Sequence, residues 1–249
     1  MLVLLPPSEG KATGRRGAPL DLASLSFPAL TPVRRRLVLA VETLAREQPD
    51  ALRAALGLSP RQHAEIEADA RLTSAPTLPA MSLYTGVVYE ALGYSSLSAG
   101  AKRRANGSLV VASALFGLVR PKDRLPAYRL SGSTSLPGLG GLGPVWRGAV
   151  EAELSSYDGL VVDLRSGTYA ALARVPRAVE VRVLRESNGV RSVVSHDNKW
   201  TKGRLARALC ESGARSVRDV AAAGRSVADV VEVDGRRVDL VLHGLATAR

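Results

Sequence analysis

Lysine is rare in this chain, and several of its lysines lie where an anion could bind. Only five residues are lysine, against a large excess of arginine, and Lys199 and Lys202 share the stretch SHDNKWTKGRLARAL at 195–209. A lysine ammonium is a compact point charge whose pKa shifts on burial, a property that arginine lacks. Lys11, Lys199 and Lys202 each lie beside a glycine or at a predicted strand-to-helix junction. We therefore interpret these three positions as candidate anion ligands.

The segment PPSEGKATG at 6–14 follows an apolar stretch that predicts a buried strand over 2–7. A glycine-rich loop after a strand often binds phosphate through its backbone N–H groups. It is not the P-loop of a nucleoside triphosphatase, because that pattern requires glycine at the position of Leu5 and serine or threonine at Ala12. Ser8 and Lys11 remain candidate anion ligands, and a solvated surface loop is the equally weighted alternative.

Arginines recur through LFGLVRPKDRLPAYRLSGS at 115–133, where prolines restrict the chain. Arg120, Arg124 and Arg129 in such a loop suit phosphate binding, because a guanidinium group can bind phosphate through two parallel hydrogen bonds. The alternative is that these arginines pack over an acidic neighbour such as Asp123.

The stretch LRSGTY at 164–169 follows another predicted strand, LVVD at 160–163. Its small polar residues could place backbone N–H groups at the start of a helix, where anions commonly bind. Ser166 and Tyr169 are therefore further candidate anion ligands. A simple helix cap is the alternative for the same residues.

Other catalytic chemistries find little support. The triplet SHD at 195–197 has the residue types of a hydrolase triad, but three neighbours on a predicted strand point to alternating faces and cannot converge. No G-x-S-x-G motif is present. The single Cys210 excludes an internal disulfide, and the three dispersed histidines lack metal-ligand spacing. We expect no metal and no cofactor.

The composition is that of a globular protein with a strong basic excess. The 249 residues are 46% hydrophobic, enough for a large core, and carry a net charge of +11 with a pI near 10.5. Such a surface attracts polyanions, of which nucleic acid is the usual partner and acidic metabolites are the second. The alternative is that the basic excess reflects general arginine richness and that the protein has no anionic ligand. The apolar start MLVLLPP is too short for a signal peptide, and no apolar run reaches membrane-spanning length. We expect a cytoplasmic protein without membrane contact.

Strand and helix patterns alternate along the chain and predict one α/β domain over 1–249. An apolar segment at 109–121 predicts a strand followed by a turn or short helix, and the glycine-dense segment 132–144 is expected to be irregular. Asn188-Gly189 and Asp234-Gly235 predict hairpin turns within 178–197 and 230–242. Helices are expected at 31–49, 51–57, 60–71, 81–93, 145–157 and 201–213.

Several of these stretches together resemble the YaaA family of bacterial peroxide-stress proteins. The resemblance is carried by LVLLPPSEGK at 2–11, YTGVVYEALG at 84–93, LFGLVRPKDRLPAYRL at 115–130, VW at 145–146, LVVDLRSGTY at 160–169 and VVSHDNKWTKGRLARAL at 193–209. It implies a single compact α/β domain, a mixed sheet surrounded by helices, with a basic cleft that binds DNA. It also implies a cytoplasmic protein that keeps free iron low and limits iron-dependent oxidative damage.

Three functions are compatible with these residues. The first is a non-enzymatic stress protein that binds double-stranded DNA through phosphate contacts with little sequence preference. The second is an enzyme acting on a nucleotide or a phosphorylated small molecule. The third is direct sequestration of iron, which ranks last because no ligand cluster is visible. The DNA cleft would be lined by Lys11, Arg120, Arg124, Arg129, Lys199, Lys202 and Arg204, and the small-molecule pocket by Ser8, Lys11, Ser166, Tyr169 and Lys199.

Overall fold

The amino-terminal apolar segment forms a central strand of the main sheet. The computed structural model describes residues 1–14, 16–193 and 195–243. Strand β1 (Leu2–Leu5) ends where Pro6 and Pro7 begin, because proline has no N–H to continue the ladder. All residues of β1 are buried, which is typical of a strand covered on both faces.

Short strands and hairpins account for the rest of the β-structure. Two small two-stranded sheets pair β2 (Leu78–Pro79) with β5 (Arg124–Leu125) and β6 (Ser135–Leu136) with β7 (Gly140–Gly141). The other strands are β3 (Leu109–Ser113), β4 (Gly117–Val119), β8 (Val161–Asp163), β9 (Val179–Ser187), β10 (Val190–Ser192), β11 (Val230–Asp234) and β12 (Arg237–His243).

The main sheet, within the described residues, has eight strands of mixed direction. Its order is β11-β12-β9-β8-β1-β3-β4, with β10 paired to β9. The strands from β12 to β3 run parallel to their neighbours, and the hairpin partners β4, β10 and β11 are antiparallel. The parallel centre requires crossover connections, which the helices supply.

Two groups of helices cover this sheet. The first group, in which α9 contacts the other three members, comprises α5 (Val87–Leu92), α6 (Ala99–Ser108), α9 (Ser195–Ser212) and α10 (Val217–Gly224). The second, centred on α1, comprises α1 (Thr31–Glu47), α2 (Pro49–Ala55), α3 (His63–Asp69) and α7 (Leu142–Ser155). Two short helices, α4 (Ala80–Leu83) and α8 (Gly167–Leu172), lie in the connections.

The predicted fold class is confirmed: the chain is a compact α/β domain with one mixed main sheet flanked by helices. The hairpin turn at Asn188-Gly189 is also confirmed, since both residues have positive φ and Ser187 pairs with Val190. The second hairpin is shifted by one residue. Asp234 pairs with Arg237, so its turn is Gly235-Arg236 rather than Asp234-Gly235.

Several local predictions are wrong. The turn expected after β3 is present at 114–116, but strand β4 follows it and was not predicted, and 132–144 contains β6, β7 and the start of α7. The helix expected at 81–93 is divided into α4 and α5 by Gly86, whose φ of 91° is incompatible with a continuous helix. Residues 195–197 belong to the first turn of α9, not to a strand. Helices α6 and α10 were not predicted.

Candidate functional site

A crevice opens where the chain reverses its winding around β1. The chain passes from β1 to β3 on one side and later returns to β8 on the other side. The carboxyl ends of β1 and β8 therefore lie at a topological switch point, the place where ligands bind in open α/β sheets. A cavity of about 440 Å³, called here the first cavity, occupies this position.

The first cavity is built from segments that are distant in sequence. Residues 6–10 follow β1, residues 85–89 comprise the approach to α5 and its first turn, and part of 164–169 follows β8. The beginning of α9 closes the cavity with Asn198, Lys199 and Lys202. The predicted site residues that the structure brings together here are Ser8, Ser166, Tyr169, Lys199 and Lys202.

The loop after β1 is held in shape by its own side chains. The Ser8 hydroxyl donates to Gly10 O at 2.5 Å and accepts from the backbone N–H of Thr85 at 3.0 Å. The second bond ties the loop to the segment that precedes α5. Ser8 is thus positioned at the cavity wall by two fixed partners.

Lys11 lies behind this loop rather than in the cavity lining. Its Nζ donates to the carbonyl oxygens of Ser8 at 3.0 Å and Glu9 at 3.3 Å, and it lies 4.2 Å from the centre of the Tyr128 ring. Burial lowers the pKa of Lys11 to about 8, with the positive charge of Arg129 acting in the same direction. Lys11 therefore holds the loop that forms part of the cavity wall, and its ammonium group has a pKa of about 8.

Asp69 is a buried carboxyl group near Lys11 that sequence reasoning missed. Asp69 is completely buried; its Oδ1 accepts from the backbone N–H of Arg129 at 2.9 Å, and Oδ2 has no hydrogen-bond partner among the described residues. Burial raises the pKa of Asp69 to about 8. The available signal was an aspartate at the last position of α3, where the helix dipole disfavours negative charge.

The cationic side of the first cavity comes from α9. Lys199 and Lys202 are one helical turn apart, so both reach the same face. Lys199 is exposed, whereas Lys202 is 9% exposed and donates to Arg165 O at 3.2 Å. Burial lowers the pKa of Lys202. Lys202 is the more desolvated cation and the stronger candidate for direct contact with an anion.

Gly203 allows α9 to approach the cavity closely. A Cβ at this position would overlap the carbonyl oxygen of Val88 and lie 2.7 Å from the Ala91 side chain. Glycine therefore permits the contact between α9 and α5 that places Lys199 and Lys202 at the crevice. The glycine beside Lys202 was noted from sequence, but its packing role was not.

Two tyrosines of the first cavity have their hydroxyl groups held by backbone partners. The Tyr169 hydroxyl accepts from the backbone N–H of Gly132 at 3.2 Å, and the Tyr89 hydroxyl donates to Pro6 O at 2.7 Å. Burial raises the pKa of both tyrosines, so both remain neutral hydrogen-bonding groups. Ser166 lies between β8 and α8 without a side-chain capping bond to that helix.

The remaining predicted arginines lie outside the first cavity. Arg120 donates to Gly107 O at 2.5 Å, Arg124 to Thr77 O at 2.6 Å, and Arg204 to Ser226 O at 3.2 Å. Arg129 lies 3.6 Å from the Glu9 carboxylate, beside the loop after β1.

The proposed packing of arginines over Asp123 is also not observed. Asp123 accepts from the backbone N–H of Arg120 and from Ser26. The arginine guanidinium groups are therefore directed elsewhere, and the predicted basic cleft stays a prediction.

The part of the chain that the structure describes contains neither a metal-binding cluster nor a helix suited to a membrane. No group of three or more His, Cys, Asp or Glu side chains could hold a metal ion there. No helix among these residues combines the length and apolar character needed to span a membrane.

The fold and the first cavity define a class: an α/β protein with a lysine-bearing crevice at a topological switch point. Residues 1–226 match the family described as peroxide stress protein YaaA, and the chain belongs to this family. It is 47% identical to a UPF0246 protein of Corynebacterium efficiens over 247 residues, covering 96% of this chain and 95% of that protein. It is also 47% identical to a UPF0246 protein of Streptomyces coelicolor over 220 residues, covering 86% and 84%.

Proposed function

We propose that this peroxide stress protein binds a nucleotide or another phosphorylated small molecule in the first cavity. The observation that carries the proposal is Lys202, a buried cation that makes no ion pair within the described residues. A buried charge without a partner is costly, and an anionic ligand removes that cost. Lys199, one turn away on the same cavity wall, adds a second positive charge.

The size and lining of the first cavity support a small ligand. Its volume of about 440 Å³ lies within the range of roughly 300–1,000 Å³ that is usual for small-molecule sites. Hydroxyl groups of Ser166 and Tyr169 accompany the two ammonium groups and can donate to phosphate oxygens, whereas the single O–H of Ser8 is already used on Gly10 O. Pro6, Pro7, Val87 and Val88 supply apolar walls for an uncharged part of the ligand.

Lys11 is the titratable group for an enzymatic form of this function. Its pKa of about 8 gives it a neutral amine fraction near neutral pH, as a general base requires. Its Nζ donates to Ser8 O and Glu9 O behind the cavity wall and does not line the cavity, so this role requires a water molecule between Lys11 and the ligand. Turnover that persists in full in Lys11→Arg would exclude lysine-specific chemistry.

Calorimetric titration with a panel of nucleotides and sugar phosphates tests the binding proposal. Lys202→Met is compared with Lys102→Met, whose parent lysine lies on α6 and donates to Ser95 O outside the cavity. One charged hydrogen bond contributes about 1.5–3 kcal/mol, so Lys202→Met is expected to weaken binding about 10- to 100-fold. Lys102→Met is expected to bind like the wild type. The proposal fails if the wild type binds no member of the panel or if Lys202→Met binds equally well.

A second candidate is binding of double-stranded DNA, favoured by the net charge of +11. Arg124 and Arg204 are exposed outside the first cavity, where a duplex too large to enter it has access. In this function the protein covers DNA in the cytoplasm and limits iron-dependent damage, as the resemblance to the family implies. Phosphate contacts would dominate, with little sequence preference.

Fluorescence anisotropy with duplex DNA over a salt series separates the two candidates. DNA binding predicts a steep decrease of affinity with salt and a shallower slope in Arg124→Ala and Arg204→Ala. Arg35→Ala, which removes an exposed arginine of α1, is the matched control. Affinity that barely changes with salt would contradict the DNA proposal. A DNA-strand-break assay with ferrous iron and peroxide then tests whether bound protein reduces the damage.

A further inference from the structure

A second cavity of about 560 Å³ adjoins the first. It lies at the end of β8, beside α8, the segment around Pro176 and the first half of β9. Asn198 and Lys202 line both cavities, so these two side chains lie at the boundary between them. The proposed function uses only the first cavity and leaves the second without a role.

Lys202 places a positive charge at the junction of the two cavities. The acidic residue of β8, Asp163, already accepts from Nε and Nη2 of Arg165 at 2.9 and 2.8 Å. Glu180 attracts Lys202 electrostatically but forms no ion pair with it. A lysine ammonium has three donors, and within the described residues Lys202 uses one of them, on Arg165 O. The junction therefore offers donors to an anion.

Asn198 adds an unsatisfied acceptor at the same junction. Its Oδ1 is buried and has no hydrogen-bond partner among the residues that the structure describes. Buried polar atoms are nearly always hydrogen-bonded, so an exception requires an explanation. A hydroxyl or N–H group of a ligand that crosses the junction would satisfy it. This observation is independent of the charge of Lys202.

We propose that the two cavities form one site for a dinucleotide-class small molecule, two nucleosides joined through phosphate, with the phosphate at Lys202. The proposal rests on the proposed function of the first cavity and extends it. One nucleoside lies in the first cavity and the other in the second. A ribose hydroxyl near the phosphate donates to the Asn198 side chain.

The second cavity has the chemistry that a nucleoside requires. Val175, Pro176 and Ala178 form an apolar strip on which a flat base can rest. Arg174 and Glu180 are exposed at its rim and form no ion pair within the described part of the chain. A guanidinium group stacks on flat rings, and a carboxylate accepts hydrogen bonds from exocyclic amino groups. Arg182 is occupied by Asp239 and is not counted as a ligand.

Calorimetric titration with two probe mixtures tests this proposal. One mixture contains the common 5′-mononucleotides and the other the corresponding dinucleotides without a terminal phosphate, so that every probe carries one phosphate. The dinucleotides are expected to bind at least about 10-fold more tightly, which corresponds to about 1.4 kcal/mol. Arg174→Ala is expected to remove most of this advantage and to leave mononucleotide affinity unchanged, whereas the control Arg35→Ala changes neither.

The outcomes distinguish this inference from the proposed function. Mononucleotide binding with no dinucleotide advantage, or an advantage that survives in Arg174→Ala, overturns the joint site and leaves the first cavity intact as a site. No binding of either mixture overturns the joint site, and binding of sugar phosphates in the earlier titration would still support the proposed function. If single-stranded oligonucleotides bind at least about 10-fold more tightly than dinucleotides, the ligand of the joint site is a nucleic-acid strand and not a small molecule, which overturns the proposal.

Discussion

Asp69 should make the protein less stable as pH rises toward neutrality. Its carboxyl group is completely buried, and burial raises its pKa from 3.8 to about 8. Between these two values the folded state holds a proton that the unfolded state has lost. Stability from this group is therefore complete below about pH 4 and decreases until the pH reaches about 8. Asp69→Asn removes the titration and keeps an acceptor for the Arg129 N–H.

The size of the effect follows from the difference between the two pKa values. Each pKa unit corresponds to about 1.4 kcal/mol, so keeping the buried carboxyl neutral costs at most roughly 4 kcal/mol near pH 7. Asp69→Asn should therefore be more stable than the wild type at neutral pH, and the difference should grow by up to about 1.4 kcal/mol per pH unit. Lys11 remains mostly protonated below pH 8 and contributes little to this slope.

Urea denaturation at several pH values between about 5 and 7.5 measures the slope. Asp50→Asn is the control, because the Asp50 side chain is 89% exposed and forms only a surface ion pair with Arg53. A stability difference between Asp69→Asn and the wild type that does not change with pH would refute the assigned pKa. A similar slope in Asp50→Asn would show that the effect is not specific to burial.

The remaining predictions concern packing and buried polar groups, and urea denaturation at fixed pH measures each. Gly203→Ala should lower the free energy of unfolding by about 1–3 kcal/mol, because the new methyl group overlaps Val88 O. Gly148 in α7 has open space around an added Cβ, so Gly148→Ala should raise the free energy of unfolding by about 0.5–1 kcal/mol. Equal effects of Gly148→Ala and Gly203→Ala would contradict the packing argument. Arg34→Met should lower the free energy of unfolding by about 2–4 kcal/mol, since Ser26 O, Phe116 O and Leu118 O lose their guanidinium donor. An unchanged urea midpoint in this variant would contradict the prediction.

Patterns within one segment were the most predictable part of the fold. The apolar run ended by Pro6 predicted β1, and Asn188-Gly189 predicted the turn between β9 and β10. Both predictions succeed because proline and residues with positive φ determine the backbone conformation of the segment in which they lie. The helix expected at 81–93 was wrong in its middle. Its break at Gly86 accompanies the hydrogen bond of Thr85 to Ser8, a contact between segments that are far apart in the sequence.

The structure brings two of the three lysines selected from the sequence to the first cavity and places Lys11 behind its wall. Rarity of lysine indicated Lys199 and Lys202, and both line the first cavity. The predicted DNA cleft also included Arg120 and Arg204, although each is directed to a backbone carbonyl elsewhere. A charge pattern indicates that an arginine is present, but the direction of its side chain depends on the acceptors that the folded chain places around it.

By itself, then, the sequence determined the alternation of strands and helices, the family and the basic excess, because each depends on residues close together in the chain or on simple counts. Only the tertiary structure decided which cations share a cavity, and that Asn198 and Lys202 lie between two cavities. It also decided that Asp69 is buried with an unpaired oxygen. The physical reason is that burial and convergence depend on the packing of α9 against α5 and on the sheet order around β1, which no single segment contains.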